Sequence, residues 1–466
     1  MRGLPVRRRA VLVLRAGAGR GDRPRLRRPR PHAATRRHPG PLDRVPGRPC
    51  PPPRHPRAGD PVNAFSLTPA AAEPHLHVAR RSLDRLRGVP ALAGRYAGHG
   101  EPRTLDDLAA LPALVKDDLN VALAHLRPTA ERGATWLFQS GGSTGAPKVG
   151  YAPTGFYMHG VYEQWRPLDR DDVFVNAWGA GRMWGAHFLA AAFADLSGCQ
   201  VIALGSVGRD EYGDWLSFFA DREVTAFGGT PSVLRLWFAH ARATGVKLPA
   251  LRKVLWLGEA WHPQLDEDMA AVAPDARRWG MFGSTETWVA GTNTPQCPAD
   301  VFHLLPSQLV GMDADGLLDF TTLDPDVLNP VLRYRTGDAG RFVTCTCGRE
   351  DLALRILGRR DSVVQVRGLG LHVDDIVARA EREPGVIRAQ VVINERQGRV
   401  ASVDVLLLAG PGASPERLRQ DLMASTFTIS TAFQHDPESF RVSVVDELIS
   451  NGRTGKTSGF VVREEP

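Results

Sequence analysis

Residues 140–148 read SGGSTGAPK and follow the short apolar run Trp136, Leu137, Phe138. Gly and Ser are too dense here for a strand interior, so the stretch is a loop that ends an extended segment. It concentrates backbone N–H groups and hydroxyls and closes on a cation. That composition suits a polyphosphate, and a plain surface turn shares it. A Walker-type loop is excluded, because it needs a Gly separated by four residues from Gly-Lys, whereas Lys148 follows Pro147. The other tempting string, 455-GKT-457, fails because Ser450 holds the required Gly position.

Downstream of this loop, strand-like runs at 173–177, 200–204, 225–227 and 253–257 alternate with helix-like runs at 186–196, 212–221 and 232–244. Alternation at these lengths predicts an α/β fold with a mainly parallel sheet covered by helices. Upstream, 104-TLDDLAALPALVKDDLN-120 predicts two short helices separated by Pro112, with Asp in their first turns. The texture changes after residue 361. Extended 363–366, then 368-GLGLH-372, helix-like 374–383 and strand-like 389–394 and 403–408 predict a small α+β domain of roughly a hundred residues.

The 466 residues are 43% hydrophobic and 23% charged, with 47 Gly and 36 Pro, which excludes collagen-like and coiled-coil classes. Five Cys are too few for a disulfide scaffold, so a reducing, cytoplasmic setting is expected. No window reaches about 18 uninterrupted apolar residues. The most apolar region, 186–207, is broken by His187, Asp195 and Gln200, so a soluble protein with no membrane partner is expected. The net charge of +7 hides an asymmetry. Residues 1–61 hold 17 Arg, no Lys and 3 Asp, a local +14, which leaves −7 for the body. Any nucleic-acid affinity would sit in that front, which lacks aromatic residues, and no nucleic-acid partner is expected. With 13 of the 36 Pro and no Ile, Phe, Tyr or Trp, 1–61 is expected to be disordered. Its vocabulary resembles a GC-rich stretch read in the wrong frame or upstream of the true start, which would put the native beginning near Val62.

Three further motifs follow in order: 282-FGSTE-286, 334-YRTGD-338 and 358-GRRD-361. Together with the loop at 140–148 they resemble the adenylate-forming superfamily of acyl-CoA synthetases, peptide-synthetase adenylation domains and luciferases, over roughly residues 105–460. The segments 111-LPALVKDDL-119, 176-NAWGAGRMWGAH-187 and 228-GGTPSVL-234 are similar to the phenylacetate-CoA ligase branch. The resemblance implies a large AMP-binding domain over 62–361, with parallel sheets covered by helices, and a small mobile α+β domain over 362–466.

It also implies ATP, Mg²⁺ and coenzyme A. Ser140, Gly141, Gly142, Ser143, Thr144, Gly145 and Lys148 would hold the β and γ phosphates. Phe282, Gly283 and Ser284 lead to Thr285 at the α phosphate, and Glu286 would hold Mg²⁺. Asp338 would receive the ribose hydroxyls beside Arg359, and Gly258 and Glu259 would lie along the adenine. For Glu259 a helix-capping acid is an equal alternative. Asp361 would be the hinge and Lys456 the adenylation lysine. Asn451 and Gly452 depart from a proline often found in the family, Ser458 and Gly459 from a basic ending, and Gln365 from a frequent lysine.

Trp178, Met183, Trp184, His187 and Phe188 would line the acid pocket, with residues 228–231 across from them. An aromatic-rich apolar pocket suits an aryl or arylalkyl acid. The same spacing also fits ordinary core, and His187 suits a packed histidine or a carboxylate donor. Separately, Cys297 with His303, and Cys345 with Cys347, place three thiols and an imidazole in two short loops, a set able to complete a tetrahedral structural zinc site. Two unrelated loops with free thiols are the alternative.

The expected function is ATP-dependent activation of a small-molecule carboxylic acid to an acyl-adenylate, then thioester formation with coenzyme A. The alternative acceptor is a carrier-protein thiol or an amine, as in a phenazine-type antibiotic pathway. A nucleotide-binding fold without turnover is a further alternative. Peptide mapping of the native N-terminus tests the expectation for the front: a first peptide near Val62 agrees with it, and abundant native peptides from residues 7–57 contradict it.

Overall fold

The computed structural model describes residues 64–139, 149–181, 183–359, 363–366, 369–396, 399–434, 436–450 and 457–464. The expectations for 1–61 lie outside them.

Five parallel strands, Val173–Asn176, Gln200–Ile202, Ala226–Gly229, Lys253–Leu257 and Arg277–Ser284, form one part of a twelve-stranded sheet. Helices Ala186–Ser197, Tyr212–Asp221, Pro231–Thr244 and Pro263–Val272 alternate with them. Apolar cores lie between these helices and the sheet. Covered strands need continuous apolar runs, and Ala226–Gly229 is buried at every residue. The helix ends follow local chemistry. Pro231 starts its helix after Thr230, whose hydroxyl accepts from Val233 N, and Gly245 ends it at φ 75°.

Across this part the strands run Gln200–Ile202, Val173–Asn176, Ala226–Gly229, Lys253–Leu257, Arg277–Ser284. Chain order therefore reverses at Val173–Asn176. A crevice opens beyond the carboxyl ends of strands at such a reversal, and open α/β sheets bind ligands there.

The other seven strands are antiparallel: Trp288–Asn293, Val301–Leu304, Ala353–Arg359, Tyr334–Val343, Leu317–Thr322, Gln308–Met312 and Ala64–Phe65. The expected parallel sheet is thus one part of a mixed one. Past Ser284 the links between strands are too short to carry crossover helices, and short links join antiparallel neighbours. Helices Leu76–Arg87, Pro90–Tyr96, Leu105–Ala110 and Lys116–Leu126 cover this part, with Leu76, Leu83, Leu108 and Leu119 in one core with Leu309, Phe320 and Tyr334. The two helices flanking Pro112 form as predicted, and Thr104 and Asp107 close a capping box at the first.

Thr135–Gln139 and Val149–Pro153 pair as a separate antiparallel hairpin. A smaller sheet has the order Phe440–Val445, Arg399–Ala409, Val386–Arg396, Phe460–Glu464, with helices Val373–Ala380, Pro415–Ser425 and Phe427–Ala432 contributing to its core.

Candidate functional site

Four of the predicted segments leave the carboxyl ends of parallel strands: Ala177 with Trp178, Thr230, Gly258 with Glu259, and Thr285 with Glu286. The sheet topology therefore gathers them along one edge. Arg277–Ser284 ends in a hydroxyl-capped turn, where Ser284 Oγ accepts from Glu286 N at 3.3 Å and Thr287 N at 3.2 Å. The turn leaves Glu286 only 2% exposed. A buried carboxylate needs partners, and the Tyr334 hydroxyl donates a short hydrogen bond to Glu286 Oε1. Burial, with Glu286 close by, pushes the Tyr334 phenol far above its ordinary pKa, so it stays a donor.

Gln139 pairs with Val149, which closes the base of the loop that contains 140–148. The outgoing strand presses on the turn: a Cβ at Gly150 would lie 2.1 Å from the Thr285 carbonyl oxygen. Asn329 fastens the two together, its Oδ1 accepting from Tyr151 N at 2.9 Å and its Nδ2 donating to Glu286 O at 2.9 Å. Trp288 Nε1 adds a bond to Tyr151 O at 3.1 Å. The stem of the expected phosphate loop and the Thr285–Glu286 turn are thus one packed unit. Ser140, Gly141, Gly142, Ser143, Thr144, Gly145 and Lys148 themselves lie outside the described residues, as do Asp361 and Lys456.

Asp338 and Arg359 face each other across neighbouring antiparallel strands. Arg359 Nη1 is 3.9 Å from Asp338 Oδ1, and Arg359 Nη2 donates to Thr336 O at 3.2 Å. Phe282 packs with Phe302 and Phe320 in the sheet core. Gly283 lies against the Trp288 carbonyl, where a side chain has no room. Gly258 takes φ 86° directly after its strand. Glu259 has the geometry of a helix cap: its two oxygens accept from Ser232 N and Ser232 Oγ, both at 2.9 Å, at the start of Pro231–Thr244.

The expected pocket residues divide. Trp178 is 1% exposed and packed on Phe174 and Gly228, with its Nε1 buried and without a hydrogen-bond partner. His187 Nδ1 lies 2.8 Å from Trp178 O, which is the packed-histidine geometry. Trp184 is buried, whereas Met183 is 40% exposed at φ 62° and its carbonyl accepts from Gln139 N at 2.8 Å. Phe188 joins a group that sequence reasoning missed. Trp136, Phe138, Phe156 and Trp288 pack around one another with neighbouring centroids 5.5–6.3 Å apart, and Phe188 packs on Trp136 and Phe138 at 5.3 and 6.0 Å. Phe156 and Trp288 sit at φ 55° and 60°, a conformation bulky residues rarely adopt. The period-two pair Trp136, Phe138 directly before the loop was the available signal.

Pairing of Val301–Leu304 with Ala353–Arg359 in the middle of the sheet brings two loops together. Cys297 Sγ, Cys345 Sγ, Cys347 Sγ and a His303 ring nitrogen lie within 4.8 Å of one another. His303 Nε2 is 3.2 Å from Cys347 Sγ, and Nδ1 is 2.8 Å from Asp351 Oδ2, the outer carboxylate that orients a ligating imidazole. Burial opposes charge at Cys297, but hydrogen bonds from His303 and Thr294 outweigh it and lower the thiol to about 6. Burial likewise opposes charge on His303, which Cys297 and Asp351 raise to about 9. Burial raises Cys345 to about 12. Three thiols and one imidazole in this space match the donor set of a closed tetrahedral site.

Residues 91–310 match the family model described as AMP-binding enzyme. The probable nonribosomal peptide synthetase CymA of Salinispora arenicola (strain CNS-205) is 29% identical over 342 residues, 64% of this chain and 4% of that protein. A phenylacetate-coenzyme A ligase of Aromatoleum evansii is 23% identical over 369 residues, 72% of this chain and 79% of that one. The chain spans about a fifth or less of the first relatives' own length. In fold it is similar to 2-hydroxyisobutyryl-CoA ligase in the postadenylation state, with a TM-score of 0.62 at 16% identity over 85% of this chain and 90% of that one.

A packing prediction follows from Gly228, where a Cβ would lie 2.3 Å from the Trp178 ring and 2.8 Å from Phe174. Gly228→Ala should destabilise the chain by about 1–3 kcal/mol, measured as a lower urea midpoint. An unchanged midpoint would contradict this packing.

Proposed function

We infer that this chain, which belongs to the adenylate-forming superfamily, uses ATP to convert a carboxylic acid to an acyl-adenylate with release of pyrophosphate, and then passes the acyl group to a thiol. The observation that carries this is the packing of the 140–148 loop's stem onto the Thr285 and Glu286 turn, with the motif pair Asp338 and Arg359 aligned on adjacent strands. No side-chain nucleophile is needed, because the acid's own carboxylate attacks the α phosphorus and pyrophosphate leaves. Residues 140–148 grip the outer phosphates, Thr285 steadies the α phosphate, and Asp338 accepts the ribose hydroxyls. Gly258 offers a flat backbone to the adenine.

Glu286 fits a hard cation, being an oxygen donor held in one orientation by Tyr334. It would hold Mg²⁺, which when bound lessens the repulsion between phosphates and the incoming carboxylate. Lys456 supplies a point cation between that carboxylate and the α phosphate. Rotation of 362–466 about Asp361 against 62–361 would withdraw Lys456 for thiol transfer. Trp136, Phe138, Phe156 and Phe188 favour an aryl or arylalkyl acid. Coenzyme A is the acceptor that the likeness to phenylacetate-CoA ligase supports, and the likeness to CymA supports a carrier-protein thiol as the second reading. Cys297, His303, Cys345 and Cys347 would hold a structural Zn²⁺ that crosslinks the two loops.

Two tests address this. In the full chain with ATP and Mg²⁺, pyrophosphate release should depend on one member of a panel of benzoate, salicylate, phenylacetate and phenazine-1-carboxylate, and Lys456→Ala should lower it about 100-fold. Release that is independent of acid, or unaltered in that variant, would contradict the reading. Metal analysis after gentle purification should give about one zinc per chain, and Cys347→Ser should lose it with a lower melting temperature. Less than about a tenth of that zinc in the unaltered chain would dispose of the site.

A further inference from the structure

The strand Val386–Arg396 turns Ala389 and Val391 into the core of the smaller sheet and Arg388 and Gln390 to the opposite face. Gln390 is 0% exposed. A buried amide is costly unless its polar atoms find partners, and here both do. Nε2 donates to Ile449 O at 2.8 Å and to Ser458 O at 2.9 Å, while Oε1 accepts from Ile449 N at 2.9 Å. One side chain thus grips the chain on both sides of the bridge that pairs Ser450 with Thr457. The six residues between Ser450 and Thr457 include Lys456.

Arg388 extends the grip outward. Its Nη2 donates to Thr457 O at 3.5 Å and lies 3.9 Å from Glu259 Oε2, the carboxylate next to Gly258. Its Nη1 lies 3.5 Å from Glu381 Oε1. Glu381 joins the part that carries the smaller sheet to the helices on the larger one. Its Oε2 is 3.0 Å from His262 Nε2, and its Oε1 is 3.6 Å from Arg235 Nη1 and accepts from Ala389 N at 3.1 Å. Burial opposes charge on Glu381, but the hydrogen bond from His262 and the charges of Arg388 and Arg235 lower its pKa, so the docking carboxylate is ionised.

We propose that Gln390 is a positioning residue for the adenylation half-reaction: it holds the two stems that flank the Lys456 segment, and Arg388 beside it sets those stems against the turn at Gly258 and Glu259. This rests on the acid-activation reading above. Gln390 acts through Lys456 alone, so it matters when the carboxylate attacks the α phosphorus. It does not matter when a thiol attacks the finished acyl-adenylate, a step in which Lys456 has no part.

The test uses the full chain with Gln390→Met, Lys456→Ala and both together. Two rates are followed with the acid that the panel selects: acid-dependent exchange of pyrophosphate into ATP, and thioester formation from the synthetic acyl-adenylate and N-acetylcysteamine. Gln390→Met should slow exchange about 30-fold with Lys456 present, and less than about twofold further in the Lys456→Ala background. Transfer from the supplied adenylate should stay within about twofold. Gln390→Glu keeps the acceptor for Ile449 N but loses both donors, so its exchange, relative to the unaltered chain, should recover in part as pH falls and the buried carboxyl gains a proton, which restores one of the two donors. Losses that multiply, or transfer that falls in step with exchange, would make Gln390 an ordinary core residue and overturn the proposal. Normal exchange in Gln390→Met overturns it while leaving acid activation standing. Absence of exchange in the unaltered chain removes the acid-activation reading and the proposal together.

Discussion

The short hydrogen bond from Tyr334 to Glu286 joins the two parts of the large sheet at the point where they must cooperate. Glu286 follows the last parallel strand, and Tyr334 opens the long antiparallel strand that also carries Asp338. A carboxylate only 2% exposed cannot stay there unpartnered. The bond therefore sets the spacing between the turn at Thr285 and the strand of Asp338, and with it the distance between the groups assigned to phosphate and ribose. Asn329 and Gly150 carry the same constraint to the stem of the 140–148 loop.

The parallel strands were legible because apolar runs and amphipathic helices alternate there with different periods. Helix 212–221 and strand 253–257 fall where the pattern puts them. Trp288–Asn293 was not legible, since a strand buried at all six residues shows no alternation and its sequence, WVAGTN, holds two polar residues. The pairing of Asp338 with Arg359 followed from motif resemblance, and the register supplies its geometry. The Tyr334 to Glu286 contact spans 48 residues, a separation that no local pattern reports. Gln390 reads as a stray polar residue in an apolar strand until its partners, 59 and 68 residues away, are seen. Glu259 shows the converse: motif and helix chemistry gave two readings, and the geometry is that of the cap.

Two side-chain clusters of different chemistry accompany this arrangement. The three thiols and His303 gather beside the pairing of Val301–Leu304 with Ala353–Arg359, and the latter strand carries Arg359 toward Asp338. The ionised Glu381, between His262 and two arginines, ties the smaller sheet to the helices of the larger. A desolvated ion cluster is costly unless every charge is matched, so it favours one docked arrangement and penalises partial ones. That is a useful property for a part assigned to two positions.

The central claim is that a substrate carboxylate attacks the α phosphorus of ATP. The most direct measurement supplies the selected acid with both carboxylate oxygens as ¹⁸O, lets the full chain form thioester, and weighs the nucleotide product by mass spectrometry. Attack at the α phosphorus carries one labelled oxygen into AMP when the thiol displaces it, and the account predicts AMP bearing a single ¹⁸O. Unlabelled AMP, or ADP with the label in phosphate, would contradict it.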